Sequence, residues 1–222
     1  NAVLELPEPL VSIASSIPGV QKIILQGDPH PDYDLYCPLM SLPMAFSTEV
    51  ETIPSLTPYI SVSDADKHKW SERLGTKTRP RIGLAWSGNS EHADDYNRSI
   101  PFRLLLPLLE LNADFYSVQK EYRQSDIDLV RSERINDCSG FLNDFTDTAG
   151  LIESLDLVIS VETSVAHLTG ALGRPLWILL LYSPDFRWLT SREDSPWYPS
   201  ARLLRQPHYN SWELVITRAR ED

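Results

Sequence analysis

The chain has 222 residues, a length typical of one large domain or two small ones, and 42% of its residues are hydrophobic, enough for a globular core. Its net charge of −11 argues against a partner bound through the phosphate backbone of nucleic acid. The chain has two cysteines, Cys37 and Cys138, and neither a signal peptide nor a membrane-span pattern, so we predict a cytoplasmic protein.

Residues 1–62 alternate strand and helix patterns. Strands are predicted at residues 3–6, 20–25, 33–37 and 59–62, a helix at 8–17, and short helical turns within 39–53. These elements are too few for a complete sheet, so this region predicts only part of an α/β unit. The chain begins at Asn1 inside a strand-like run, and we therefore expect it to be a fragment of a longer protein.

Residues 63–80 are expected to connect two parts of the chain. Residues 63–75 predict a helix capped by Ser63 or Asp64, with Ala65, Trp70 and Leu74 facing inward. The polar, proline-containing segment 76–80 is typical of a hinge or a domain boundary.

From residue 81 onward, buried strands and helices alternate regularly. Strands are predicted at residues 82–86, 115–118, 135–138, 157–161, 176–181 and, as an edge strand, 202–205. Helices are predicted at residues 99–111, 126–132, 146–155, 163–172 and 211–220. Because strands joined through helices run parallel, residues 81–222 predict a doubly wound α/β sheet.

The clearest strand–helix–strand unit is DLVISVETSVAHLTGALGRPLWILLL at residues 156–181. Glu162, Thr163, Ser164 and His167 lie where its first strand ends and its helix begins. A helix N-terminus offers free backbone N–H groups and a partial positive charge, which together suit a phosphate. The alternative is that Thr163 and Ser164 only cap the helix and that His167 packs in the core.

Four polar segments, 87–98, 119–121, 146–148 and 162–167, should meet at the carboxyl edge of this sheet, where open α/β sheets bind ligands. The candidate binding residues are Ser87, Gly88, Asn89, Arg98, Gln119, Lys120, Glu121, Asp147, Thr148, Glu162, Thr163, Ser164 and His167. Arg98 and Lys120 could neutralise a diphosphate, and Glu121 or Glu162 could accept hydrogen bonds from ribose hydroxyls.

Each of these assignments has an ordinary alternative. Arg98 could pair with Asp94 or Asp95, and Lys120 could be a solvated surface lysine. Asp185 and Arg187 follow the strand at 176–181 and could form a wall of the site, although we favour a role in bracing their loop.

Other nucleotide-binding and catalytic motifs do not occur in the sequence. It contains no GxGxxG after a strand, no GxxxxGK[ST] and no GxSxG. Four of the five histidines, His30, His68, His92 and His208, show no metal-binding spacing, so we predict no metal site.

Several segments occur together in an order that resembles a known family. They are GLAWSGN at 83–89, NRSIP at 97–101, SVQKE at 117–121, DFTDTAGLIESLDLVISVETSVAHLTGALGRPLWILL at 144–180 and REDSPWYP at 192–199. This set resembles the C-terminal glycosyltransferase-like region of bacterial tetratricopeptide-repeat proteins, which is related to the heptosyltransferases of lipopolysaccharide synthesis. The resemblance is close over residues 81–212 and looser over residues 3–62.

The resemblance implies the GT-B fold of two Rossmann-like lobes. Residues 81–222 would be the C-terminal lobe that binds a nucleoside-diphosphate sugar, residues 1–62 part of the acceptor lobe, and residues 63–80 a helix and linker. It implies an inverting, metal-independent glycosyltransferase without a cofactor, acting on a glycan or protein acceptor, with a tetratricopeptide region upstream. Thr163, Ser164 and His167 would then face the donor phosphates, Arg98 would be a basic phosphate contact, and residues 119–121 would lie near the ribose.

Two departures from the family pattern affect these expectations. Glu162 stands where the family usually has Asp, and the Gly-rich loop expected to carry the catalytic acid should precede Val3, so no catalytic residue is assigned. A noncatalytic nucleotide-sugar-binding or protein-interaction module and a sugar-nucleotide epimerase therefore remain as alternatives.

Overall fold

We describe the protein from a computed structural model, which describes residues 2–91 and 95–222. His92 and Asp94, both considered above, lie outside the described residues. The strands are β1 (Ala2–Leu6), β2 (Val20–Leu25), β3 (Arg81–Ala85), β4 (Asp114–Ser117), β5 (Ile135–Asp137), β6 (Leu157–Val161), β7 (Leu176–Leu180) and β8 (Ala201–Arg205). The helices are α1 (Glu8–Ala14), α2 (Leu42–Ala45), α3 (Asp64–Leu74), α4 (Asp95–Arg98), α5 (Leu106–Leu109), α6 (Ile127–Ser132), α7 (Phe145–Glu153), α8 (Ser164–Ala171) and α9 (Trp212–Glu221).

Strands β3 to β8 form the main sheet, and within the described ranges this sheet is parallel with the strand order β5-β4-β3-β6-β7-β8. The chain moves outward from β3 through β4 to β5, then crosses back and continues from β6 to β8. The prediction of a doubly wound α/β sheet is therefore confirmed, with β8 at one edge. The direction of winding reverses between β3 and β6, and ligands of open α/β sheets bind outside the strand ends at such a reversal.

Both faces of the main sheet are covered, which explains why its strands are almost continuously apolar. Neighbouring residues on a strand point to opposite faces. Val158 therefore packs in a cluster with Trp70 of α3, whereas Ile159 packs in a second cluster with Trp212 of α9. Helices α3 and α7 contact each other on the first face, and α5 and α9 do so on the second.

The N-terminal region forms only a small sheet, in which β1 and β2 pair in parallel. Helix α1 packs against α7, and a hydrogen bond of 2.9 Å joins the hydroxyls of Thr146 and Ser12. The division at residues 62 and 80 stays a prediction, although the main sheet does begin at Arg81. None of the helices in the described ranges is both long and apolar enough to cross a membrane.

The strands predicted at residues 33–37 and 59–62 are wrong. The first segment is irregular, and Leu35 is 91% exposed, because no neighbouring strand covers it. In the second segment the backbone N–H of Tyr59 donates to the carbonyl of Ala171, so this stretch packs on the end of α8 instead of extending a sheet.

Several helix boundaries also differ from the predictions. Helix α1 ends at Ala14, where the hydroxyls of Ser15 and Ser16 bond to nearby carbonyl groups, and not at residue 17. The helix predicted at 99–111 divides into a 3-10 turn, Phe102–Leu105, and α5, which carries Pro107 in its first turn. Ala65 was expected to face inward but is exposed. The last part of the polar segment 87–98 forms α4.

Candidate functional site

A cavity of about 520 Å³ lies at the carboxyl edge of the main sheet, beside the reversal between β3 and β6. Twelve of the thirteen candidate residues line it, because they follow strands whose carboxyl ends meet there. These residues are Ser87, Gly88, Asn89, Arg98, Gln119, Lys120, Glu121, Thr148, Glu162, Thr163, Ser164 and His167. The sequence analysis did not propose Asn143, Asp144 or the N-terminal Pro9, which also line the cavity.

The thirteenth candidate, Asp147, does not line the cavity and instead braces two helices. Its Oδ1 accepts a hydrogen bond of 2.6 Å from Lys69 Nζ of α3, and its Oδ2 accepts two bonds from Asn143. Burial opposes ionisation of this carboxyl, but the bonds from Lys69 and Asn143 outweigh burial and hold its pKa below the usual value. Asp147 is a first-turn residue of α7, whose cap is Asp144.

Gln119 lines the cavity, but its amide group is occupied by the protein itself. Its Oε1 accepts hydrogen bonds from the backbone N–H groups of Trp86 and Ser87, at 2.5 and 2.7 Å. Its Nε2 donates to the hydroxyl of Ser87 and to the carbonyl of Glu121. Gln119 therefore fixes the loop that follows β3, and its assignment as a ligand contact stays a prediction.

The N-terminus of α8 forms one wall of the cavity through Thr163, Ser164 and Val165. Thr163 occupies the N-cap position, yet its side chain does not cap the helix. Its hydroxyl instead shares a hydrogen bond of 3.1 Å with the hydroxyl of Ser160. The alternative that these hydroxyls serve only as caps is therefore wrong for Thr163, whose side chain leaves the first-turn N–H groups of α8 uncapped. Such a helix end attracts anions.

His167 lies one turn further along α8, between the cavity and two aromatic rings. Its imidazole stacks on Trp188 at 5.3 Å between ring centroids, and its Nδ1 lies 3.0 Å from the hydroxyl of Tyr198. Burial, helped by the positive charge of Arg187, lowers the pKa of His167 to about 4. The ring is therefore neutral at pH 7. When the Tyr198 hydroxyl donates to Nδ1, Nε2 carries the proton and can donate to a ligand.

The two basic candidates are both tied to the protein as well as lining the cavity. Arg98 donates from Nε to Asp95 Oδ1 at 3.2 Å, which is one of the two ion pairs considered from the sequence. Lys120 donates from Nζ to the carbonyl of Asn143 at 2.9 Å, so it is not simply a solvated surface lysine. These contacts hold both cations at the wall of the cavity.

Glu162 is a buried acid with one unsatisfied oxygen. Its side chain is only 7% exposed, and Oε1 accepts a hydrogen bond of 3.1 Å from the backbone N–H of Asp185. Oε2 is buried and has no hydrogen-bond partner within the described part of the chain. Burial raises the pKa of Glu162, against the lowering effects of that N–H, of the Trp188 side chain and of Arg98. An unsatisfied acid at a cavity wall can bind a hydroxyl group of a ligand.

Asp185 and Arg187 are both a brace and a wall. They form an ion pair of 2.7 Å, and Asp185 also accepts from the backbone N–H of Arg187, as expected for a braced loop. Both side chains line the cavity. Their position after β7, next to β6 in the sheet, is the signal that relates them to the site. Over residues 2–91 and 95–222, no three His, Cys, Asp or Glu side chains are grouped closely enough to hold a metal ion.

No protein-family model matches the chain. Protein FlbA of Caulobacter vibrioides is 27% identical over an alignment 181 residues long, which covers 76% of this chain and 29% of FlbA. The chain therefore spans less than a third of the length of this relative.

Two solved structures share the fold. Escherichia coli ADP-heptose LPS heptosyltransferase II has a TM-score of 0.63 at 14% identity, covering 98% of this chain and 89% of that one. A glycosyl transferase of family 9 from Veillonella parvula has a TM-score of 0.53 at 14% identity, covering 91% of this chain and 56% of that one. The chain thus has the Rossmann-like α/β fold of GT-B glycosyltransferases. The upstream tetratricopeptide region stays a prediction.

Proposed function

We propose that the cavity binds a nucleoside-diphosphate sugar and that the chain is the donor-binding part of a glycosyltransferase. The observation that carries the proposal is the arrangement of one helix N-terminus, three cations (Arg98, Lys120 and Arg187) and one neutral histidine around a single cavity beside the strand reversal. Hydrogen-bond donors and positive charge at that place match the needs of a diphosphate. The structural likeness to a heptosyltransferase that is named for ADP-heptose supports the same class of donor.

The diphosphate would lie at the N-terminus of α8. Backbone N–H groups and the hydroxyls of Thr163 and Ser164 would bind its oxygens, and His167 would donate from Nε2. When the bond between the sugar and the phosphate breaks, negative charge accumulates on the diphosphate. Fixed donors at that position stabilise the transition state more than the ground state, which is how this site would accelerate transfer.

The remaining polar groups suit the hydroxyl groups of the donor. Glu121 lies in the loop after β4 and lines the cavity, so its carboxylate could accept hydrogen bonds from the ribose hydroxyls. The buried Oε2 of Glu162 lacks a partner among the residues described, so a sugar hydroxyl would satisfy it. We propose a glycan or protein as the acceptor, as the resemblance implies.

Calorimetry with UDP, GDP and ADP tests the binding proposal directly. We expect at least one of them to bind the wild type, and Arg98→Gln to bind it about tenfold more weakly, because one charge-assisted hydrogen bond is lost. Arg192→Gln is the matched control, since Arg192 pairs with Asp194 and does not line the cavity. The proposal is wrong if none of the three nucleotides binds the wild type. Transfer that persists in EDTA would support the proposed independence from metal.

A noncatalytic binding module is the second candidate, and one observation favours it for this chain alone. Among the described residues 2–62, only Pro9 lines the cavity, and the side chain of proline cannot act as an acid or a base. A general base typically accelerates transfer by ~10²–10⁴-fold. We therefore expect nucleotide binding but near-background sugar transfer in a donor-consumption assay with and without acceptor. Robust acceptor-dependent turnover would exclude this second candidate.

The compartment and the context of the chain belong to the same proposal. Cys37 and Cys138 are free thiols, which supports a reducing compartment such as the cytoplasm. We also propose a tetratricopeptide region upstream in the full-length protein, because the sequence motifs resemble proteins with that arrangement.

A further inference from the structure

Asp95 is a buried carboxylate that joins two segments behind the cavity wall, residues 95–99 and the loop after β4. It is 2% exposed, and its Oδ1 accepts from Arg98 Nε at 3.2 Å and from the hydroxyl of Ser99 at 3.1 Å. Its Oδ2 accepts from Arg123, which lies in the loop after β4. Asp95 does not line the cavity, whereas Arg98 does. A buried charge needs such partners, and two guanidinium groups and a hydroxyl supply them here.

The backbone of Gly88 closes the arrangement from the cavity side. Its N–H donates to the hydroxyl of Ser99 at 3.2 Å. A Cβ atom at this position would lie 2.7 Å from Arg98 Nη2 and would also collide with the carboxylate of Asp95. The glycine therefore allows the loop after β3 to lie directly against the Arg98–Asp95 pair, and the guanidinium is confined from two sides.

We propose that Asp95 is a positioning residue, which holds Arg98 so that its guanidinium faces the bound diphosphate. This inference rests on the proposed function. The bond to Asp95 uses only the Nε–H of Arg98, and a guanidinium has five N–H donors, so this bond leaves the Nη groups for a ligand. An arginine held in one geometry loses less side-chain entropy when it binds a phosphate than a free arginine does.

The sign of the effect distinguishes positioning from simple charge. Asp95 is negative and lies behind a site for an anion, so as a bare charge it would repel the diphosphate. Its removal would then tighten nucleotide binding. If Asp95 acts by orienting Arg98, its removal weakens binding. Asp95→Asn keeps the size of the side chain and removes the charge, which makes it the appropriate substitution.

The test is a double-mutant cycle, measured by calorimetry with whichever of UDP, GDP and ADP binds the wild type. We expect Asp95→Asn alone to weaken nucleotide binding about tenfold, and to have little further effect when it is combined with Arg98→Gln. Arg123→Gln is the control, because it removes a partner of Asp95 but leaves the Asp95–Arg98 bond. It should keep affinity within about twofold of the wild type, and thermal unfolding should show that each variant folds.

Unchanged or tighter nucleotide binding by Asp95→Asn overturns the inference. The inference is also overturned if the double variant loses affinity by the product of the two single losses, because the two residues would then act independently. If Asp95→Asn does not fold, Gly88→Ala tests the same arrangement. The added methyl group should weaken nucleotide binding when Arg98 is present but not in the Arg98→Gln background. An equal loss of affinity in both backgrounds contradicts positioning. If no nucleotide binds the wild type, the proposed function fails and this inference fails with it.

Discussion

His167 should make the stability of the protein depend on pH between 6.5 and 5. Burial lowers its folded-state pKa to about 4, whereas an unfolded histidine titrates near 6.5. Between these values the unfolded chain binds a proton that the folded protein does not bind. The free energy of unfolding therefore decreases as the pH falls, by about 1.4 kcal/mol per pH unit. The expected loss from pH 6.5 to pH 5 is about 2 kcal/mol, and the full effect near pH 4 is about 3 kcal/mol.

Comparison with His167→Ala isolates this contribution. Urea unfolding of both proteins, followed by tryptophan fluorescence at pH 7.5, 6.5 and 5.0, gives the free energy of unfolding at each pH. The substitution removes the stacking on Trp188 and so lowers stability at every pH, but it should also remove about 2 kcal/mol of the pH dependence. The raised pKa of Glu162 has the opposite sign and is present in both proteins. Equal pH dependence in the two proteins would refute the buried, neutral histidine.

Three further substitutions test other parts of the structure. Gly170→Ala should lower the free energy of unfolding by about 1–2 kcal/mol, despite the better helix propensity of alanine, because the new Cβ would lie 2.5 Å from ring atom Cδ1 of Tyr198; urea unfolding measures this. Glu162→Gln should be more stable than the wild type at pH 8, and this gain should become smaller towards pH 5 as the wild-type carboxyl takes up its proton. In calorimetry, the same substitution should weaken the binding of a sugar nucleotide more than it weakens the binding of the free nucleoside diphosphate. Lys69→Met should lower the free energy of unfolding by about 1 kcal/mol at pH 7, a modest value because Lys69 is half exposed. This difference from the wild type should become smaller below pH 4 as Asp147 becomes protonated. A constant difference from pH 7 to pH 3 would contradict the ion pair.

The main sheet was predictable because its strands are buried on both faces. Runs such as residues 157–161 and 176–181 have few polar residues, and turn or helix-capping residues bound them, so their pattern has one reading. The same rule failed at residues 33–37, where Tyr33, Leu35 and Cys37 alternate as in a strand but, among the described residues, no partner strand is adjacent. A strand needs hydrogen bonds to another strand, and the local sequence does not contain that information.

The general position of the site also followed from the sequence, since parallel strands bring their following loops to one edge. The role of each polar side chain did not follow. The position after a strand selects Gln119, Asp147 and Lys120 alike. In the structure Asp147 does not line the cavity, whereas Gln119 and Lys120 line it while also bonding to the protein. Whether a side chain faces a ligand or a neighbouring loop depends on which groups lie within about 3 Å of it.

Local apolar patterns and chain connectivity therefore predict the α/β class, the parallel main sheet and the edge at which the candidate residues gather. They do not predict that His167 bonds to Tyr198, 31 residues later, or that Asp95 joins Arg98 to Arg123, because these contacts form only in the folded chain. Among the residues that the structure describes, Oε2 of Glu162 also has no hydrogen-bond partner. These properties arise from contacts between distant segments, and burial and hydrogen bonding at such contacts set the charge and orientation of a functional group.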